Sequence, residues 1–432
     1  MLQRIALLGS SSAVVASSAI GFCLLKEEGH NNGDDDDVPE NGVLRQVIVV
    51  HRHGDRTPIG KRLGKKIVVE SEDLQEIDDS EFWRSKLPKD NVVRKLYTRF
   101  GFTSIDLLID ENNGSIRGKL TQKGFDELNA LGKRLRERYY DRLHFLDPSL
   151  NDHNKHLVYL RSTPMSRCVR SELCILSGLF SDEDGPCKVP ILLGNPNPSN
   201  PWSRETMWPS NRMCKYQMDL IRASRKTWRR NDELDALREK LVDVVGPALG
   251  FQEGERVRLG STMEISHCYS EHGFTRNIPL NNVEDVVEKL QHYFWSSKVN
   301  GLTKTTLPLL RITIGRLLNE LFEKMSESIE SPETSPKWCQ FSGHDSTMIP
   351  LMVSLGLYDA GWPQYGANII LEIWELQDSS SSSYCVQVFF DGTLQYQMPW
   401  SEFCQRMEPL LMSDPEAYDA ECKTRLKYAH SS

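Results

Sequence analysis

Residues 52–56, Arg-His-Gly-Asp-Arg, place two guanidiniums and an imidazole within five positions, directly after the apolar run Val47-Ile48-Val49-Val50. The chain has a net charge of −8 and a pI near 5.8, so this positive cluster is local and deliberate. Guanidiniums donate paired hydrogen bonds in a fixed fork that suits phosphate. A neutral imidazole can attack phosphorus, and a carboxylic acid can protonate the departing oxygen. His53 and Asp345 are the candidates for those two tasks. The neighbouring arginines disfavour a charged imidazole and keep His53 a free nucleophile. Two other apolar runs end in comparable loops. Leu157–Leu160 leads to Arg161 and then Arg167, and Trp338–Phe341 leads to His344 and Asp345.

Three loops make one pocket only if the strands before them are neighbours. In open α/β sheets, ligands bind outside the carboxyl ends of the strands. Val47–Val50, bounded by Gly54 and Pro58, reads as a buried parallel strand. Thr121 is a suitable N-cap for an amphipathic helix with Phe125, Leu128, Leu131 and Leu135 on one face. Pro164 reads as the first turn of a helix running to about Phe180, and Gly356 stops the helix that follows His344 and Asp345. Near the end, NIILEIWEL and YCVQVFF flank Ser379–Ser383 as a hairpin loop, and Asp391-Gly392 makes the next turn. Residues 59–119 do not resolve into elements. Residues 181–330 open with proline-rich loops and continue into helical segments such as Glu233–Val245 and Leu307–Ile329. The expected fold is α/β: a three-layer α/β/α sandwich with a mixed, mostly parallel sheet and an inserted, mostly helical lobe. The α/β core covers about 43–180 and 331–432, and the lobe 181–330.

RHGDRTP resembles the signature of the histidine acid phosphatases, and His344-Asp345 resembles that family's second signature, with RSTPMSR between them. The resemblance spans roughly residues 43–425. Stretches such as LGKRLRERYY, FLDPSLN, SGLF, LGLYDAGWP and DPEAYDAEC are most similar to the branch that acts on lysophosphatidic acid and includes a mitochondrial enzyme. The resemblance implies a phosphoglycerate-mutase-like fold and no cofactor or metal. It makes His53 the nucleophile that becomes phosphohistidine and Asp345 the general acid. Arg52, Arg56, Arg167 and His344 become phosphate ligands, with Arg161 and Asp55 behind them. It also implies a phosphate monoester substrate, specifically a lysophospholipid. Asp55 departs from that branch, which has a small residue there. Three other readings remain: a broad-specificity phosphomonoesterase, a mutase-like enzyme, and a non-catalytic phosphate-binding protein. Mutase-like enzymes lack the His-Asp pair, and a binding protein would lack the nucleophile or the acid.

Ile5–Leu25 is apolar or small and free of acids, about the length of one membrane crossing. Residues 1–29 therefore read as a signal peptide, an uncleaved anchor or a mitochondrial targeting segment. The corresponding locations are the mitochondrion, by resemblance, or the secretory pathway. Residues 30–42 are an acidic linker. Cys385, Cys404 and Cys422 could form a disulfide, with pairing open. His51 and His53 lack the further ligands of a metal site, so His51 reads as a packed histidine. His272 reads as structural before pocket-rim. Arg222, Arg225, Lys226, Arg229 and Arg230 share one helical face, either solvated or docking on an anionic membrane. The acidic pI argues against nucleic acid as a partner.

Overall fold

The computed structural model describes residues 37–59, 66–69, 75–102, 115–181, 185–194, 205–207, 214–228, 306–358, 361–377 and 382–425, with single positions between 232 and 272. Strand β1 (Gly42–Arg52) explains the unbroken apolar run. Val47 and Val49 enter one apolar layer and Ile48 and Val50 the other, so both faces are covered. Strands β2 (Lys66–Val69) and β3 (Gln75–Asp78) form a separate antiparallel hairpin. The remaining strands are β4 (Val158–Ser162), β5 (Ile191–Leu193), β6 (Trp338–Gly343), β7 (Asn368–Gln377), β8 (Ser382–Phe390) and β9 (Thr393–Pro399). With β1 they make one sheet in the order β5-β4-β6-β1-β7-β8-β9. The first four run parallel, and β7, β8 and β9 add an antiparallel meander. Strand β5 comes from the stretch assigned to the lobe and forms the far edge of the core sheet. The turn at Asp391-Gly392 has φ of 46° and 81°, the left-handed geometry of a tight hairpin.

The stretch before residue 119 that lacked a clear pattern holds the β2–β3 hairpin and two short helices, α1 (Asp79–Ser85) and α2 (Asp90–Arg99). Helix α3 (Gln122–Arg136) starts at Thr121, whose hydroxyl accepts from Gly124 N at 3.1 Å. It buries Leu128, Leu131 and Leu135. Helix α4 (Ser166–Leu179) begins later than expected. Met165 is still extended at φ −108° and ψ 132°, so Pro164 lies before the helix and not in its first turn. Helices α5 (Lys215–Trp228), α6 (Thr306–Glu330), α7 (Asp345–Leu355), α8 (Trp400–Met407) and α9 (Pro415–Lys423) complete the described set. Gly356 ends α7 at φ +75°, a conformation that only glycine adopts freely. Segment Glu233–Val245 and the loop before Ser382 lie outside the described residues, apart from isolated positions.

Helices α3 and α4 pack on one face of the sheet, while α6, α7 and α8 pack on the other. This gives the three-layer sandwich. Each fully buried aliphatic or aromatic side chain contributes about 1.5–3 kcal/mol. A buried carboxyl group sits among the aromatic side chains of this core. Glu372 on β7 accepts from Arg138 Nε (2.8 Å), Arg138 Nη2 (3.0 Å), Tyr139 Oη (2.7 Å) and Trp374 Nε1 (2.9 Å), so its carboxylate is fully engaged. A disulfide joins Cys214, just before α5, to Cys422 in α9, with the Cα atoms 4.6 Å apart. Of the three cysteines singled out from sequence, Cys385 and Cys404 are free. The partner of Cys422 is 208 residues away, and only the tertiary fold brings it near. Among the described residues no helix is long and apolar enough to cross a membrane, and residues 1–36 lie outside them.

Candidate active site

Strands β4, β6 and β1 are parallel neighbours, so their three charged loops leave the same edge of the sheet. Arg52 pairs with Gly343, and Ser162 with Ser342. The loops are also tied directly: His53 N donates to Gly343 O at 3.0 Å, and Thr163 N to Ser342 O at 3.2 Å. Helices α4 and α7 begin within these loops, and helix N-termini favour an anion. The structure thereby brings together Arg52, His53, Arg56, Arg167, His344 and Asp345.

His53 is 2% exposed. Its Nδ1 lies 2.9 Å from the carbonyl of Gly54, which can only accept, so Nδ1 carries the proton. In the neutral ring, the lone pair is then on Nε2. Burial first, then the charges of Arg167, Arg56 and Arg52, together with His344, hold this imidazole well below its ordinary range. The His344 ring lies 5.4 Å from that of His53, edge to face. Arg167 Nη2 is 3.4 Å from His344 Nδ1 and can only donate, so the His344 proton sits on Nε2, 3.1 Å from Thr163 Oγ1. Burial, followed by Arg167, Arg56 and Arg52, also holds His344 well below the usual range.

Arg52 and Arg56 are each held so that part of the fork stays available. Arg52 donates from Nη1 to Pro363 O at 2.7 Å and stacks on Tyr365, 4.2 Å from the ring centre. Arg56 donates from Nη1 to Thr57 O and pairs with Glu264. The Nε groups of Arg52 and Arg56 are buried without a hydrogen-bond partner among the described residues. Asp345 is the first residue of α7 and has 32% of its side chain exposed, the open member of the set. Its Oδ2 is 3.7 Å from Arg52 Nη2, and its Oδ1 accepts from Ser346 N at 2.6 Å.

Arg161 and Asp55 point away from the convergence. Arg161 is tied to Glu205 at 3.3 Å and Glu320 at 3.5 Å. Asp55 is fully buried and joins Thr121 and His272. His51 donates from Nδ1 to Arg52 O at 3.1 Å, and burial pulls its pKa down to about 4. Among the described residues no His, Cys, Asp and Glu are grouped to hold a metal. Arg222 is tied to Asp219, and the side chains of Arg225, Lys226, Arg229 and Arg230 lie outside the described residues.

Several neighbours had no sequence signal. Tyr365 lies 4.2 Å from the Arg52 guanidinium, 5.8 Å from the His53 ring and 4.9 Å from His267. Its hydroxyl is 3.2 Å from Cys268 Sγ. Burial, then Arg52, lowers the His267 pKa to about 4. Thr163 is visible only as part of RSTPMSR, and Glu264 sits in no motif. A half-open cavity of about 410 Å³ adjoins Tyr365, lined by Gly54, Leu128, Leu131, Glu127, Arg134 and Glu271 among others.

A family model described as "Histidine phosphatase superfamily (branch 2)" matches residues 43–232 and 193–391. Lysophosphatidic acid phosphatase type 6 of Mus musculus is 25% identical over 411 residues, covering 89% of each chain. Human prostatic acid phosphatase is 25% identical over 326 residues, covering 71% of this chain and 80% of that one. The phytase of Citrobacter braakii superposes with a TM-score of 0.55 at 12% identity, covering 88% of this chain and all of that one, which is a likeness of fold alone.

Proposed function

The chain belongs to the histidine phosphatase superfamily, branch 2, and we propose that it cleaves its phosphate monoester through a phosphohistidine on His53, with a lysophosphatidate as substrate. It is a phosphoric monoester hydrolase of the acid phosphatase kind. One observation carries the covalent step: the Gly54 carbonyl fixes the proton on Nδ1 and leaves the Nε2 lone pair among three arginines. Arg52, Arg56 and Arg167 hold the phosphate and spread its charge. Both nitrogens of His344 are engaged by protein groups, so it touches phosphate only by exchanging Thr163 or Arg167, and otherwise buttresses Arg167. Nε2 of His53 attacks phosphorus, the ester P–O bond breaks, and Asp345 gives its proton to the leaving alcohol. Water then attacks the phosphohistidine, Asp345 takes a proton from it, and His53 leaves as the free base. A rapid quench with labelled substrate is expected to trap an acid-labile, base-stable phosphoenzyme. His53→Ala is expected to lose both label and turnover; retained turnover overturns this route.

The lysophosphatidate assignment rests on relatives named for that activity. A second reading, a phosphomonoesterase of soluble esters, is favoured by the cavity beside Tyr365, where Glu127, Arg134 and Glu271 stand with the leucines. Comparing kcat/KM across lysophosphatidates and small soluble esters decides between them. Equal or better turnover of the soluble esters removes the lipid assignment. For location, the Cys214–Cys422 disulfide favours an oxidising compartment and so the secretory alternative over the mitochondrial one. Membrane docking through the basic face at 222–230 remains part of the lipid reading.

A further inference from the structure

We propose that His272 is a positioning residue for the nucleophile: by holding the Asp55 carboxylate it fixes the peptide that aims His53. The inference rests on the reading of His53 as nucleophile. Asp55 lies between His53 and Arg56 and is fully buried. A buried carboxylate is costly unless it is hydrogen-bonded. Here Oδ2 takes both side-chain bonds, one from the Thr121 hydroxyl and one from His272 Nε2 at 2.7 Å. Oδ1 has no partner among the described residues.

The two bonds are not equivalent. Thr121 caps α3, and that helix packs directly on the Asp55 backbone. Thr121 N donates to Asp55 O at 3.0 Å, and a Cβ on Gly124 would collide with the same carbonyl. Thr121 and Asp55 are therefore parts of one packed unit. His272 arrives from 217 residues away and grips the carboxylate from outside that unit. Its side chain is 6% exposed, and its ring meets Trp83 edge to face at 5.1 Å and Phe82 at 6.5 Å. Its orientation is set by this packing on α1. The same stretch reaches the loop at two more points. Glu264 binds Arg56 and accepts from Ile59 N at 2.8 Å, while Glu271 pairs with Lys123 of α3.

The route to the reacting atom is short. The Gly54 carbonyl that sets the proton and tilt of the His53 ring belongs to the Gly54–Asp55 peptide. On its other side, Gly54 N donates to Ser171 Oγ at 3.0 Å. Losing the His272 bond leaves the Asp55 carboxylate held from the Thr121 side alone, which loosens one end of that peptide and lets the carbonyl tilt, and Nε2 moves with it. The arginine forks keep their other anchors, so phosphate affinity changes much less than the rate of attack.

The test uses the full chain. His272→Phe keeps a ring against Trp83 and removes the donor, whereas His272→Gln returns an N–H near the position of Nε2. The readouts are the rapid-quench rate of phosphoenzyme formation from labelled nitrophenyl phosphate and the inhibition constant of inorganic phosphate. His272→Phe is expected to slow phosphoenzyme formation about 10- to 100-fold, with the phosphate constant within about twofold, and His272→Gln to recover most of the loss. Should His272→Phe fail to fold, His272→Asn, which withdraws the amide by one methylene, takes its place with the same expected loss. Wild-type rate in the donorless variant, or equal losses in the donorless and Gln variants, overturns the proposal. Turnover by His53→Ala would instead remove the reading of His53 itself.

Discussion

Replacing His51 by Asn tests whether the strand end is held by a neutral, buried imidazole. His51 is inaccessible to solvent, and burial lowers its pKa from 6.5 to about 4 against a smaller opposing effect of the Arg52 carbonyl. In the unfolded chain it titrates near 6.5. Between those values the unfolded state binds a proton that the folded state refuses, so stability falls as the pH is lowered from 6.5 toward 4. Above 6.5 both states are neutral and the effect vanishes; below 4 both are charged and it is complete. The size of the effect is about 3 kcal/mol. Asn keeps a donor for the Arg52 carbonyl but does not titrate. Urea unfolding followed by tryptophan fluorescence, from about pH 4 to pH 7, gives stability curves for both proteins. The difference between the curves is expected to narrow by about 3 kcal/mol on acidification, with wild type losing more. Parallel curves would mean that His51 binds its proton in the folded state as readily as in the unfolded chain, and the burial argument fails.

Asp345→Asn is expected to lose most of a roughly 10²- to 10⁴-fold factor on alkyl phosphates and noticeably less on nitrophenyl phosphate, whose leaving group departs without a proton; kcat on both esters checks this, and equal losses would make Asp345 a phosphate-positioning group. Because His53 is held neutral well below its ordinary range, kcat/KM for nitrophenyl phosphate is expected to show no enzyme protonation break near pH 6.5. A fall attributable to His53 at that pH, after allowing for the second ionisation of the substrate, would mean an ordinary imidazole. Cys214→Ser opens a link across 208 residues and is expected to cost up to about 5 kcal/mol, read as a lower urea midpoint matched by wild type under reducing conditions. Glu372→Ala strands the buried donors of Arg138, Tyr139 and Trp374 and is expected to cost about 3–5 kcal/mol by the same assay.

The core of the site was legible because its three loops follow strands whose apolar runs are local signals. Val47–Val50 and Trp338–Phe341 are readable without knowing what they pair with, and Arg52, His53, His344 and Asp345 follow them directly. That β1, β6 and β4 are neighbours was an inference from fold class, and the parallel registers Arg52↔Gly343 and Ser162↔Ser342 bear it out. What escaped reading lacks a local pattern. The hairpin and short helices between residues 66 and 99 are too brief for a period to stand out. Tyr365, Glu264 and Cys268 matter only by where the chain returns. Cys214 and Cys422 meet through packing of α5 beside α9. Pro164 was misplaced because Met165 stays extended before α4 begins.

The pairing of β1 with β6 has a consequence for synthesis. Val47 meets Trp338, about 290 residues later in the chain, and the antiparallel partner β7 comes later still. At about 5–20 residues per second, the apolar strand Val47–Val50 waits roughly 15–60 s on the ribosome before either neighbour exists. Such long-range pairing is slow and leaves strand edges open to other chains. The nascent chain thus carries an unpaired apolar strand during that interval, and no fragment ending before β6 brings His53 together with Asp345, which meet only once the last parallel strand is made.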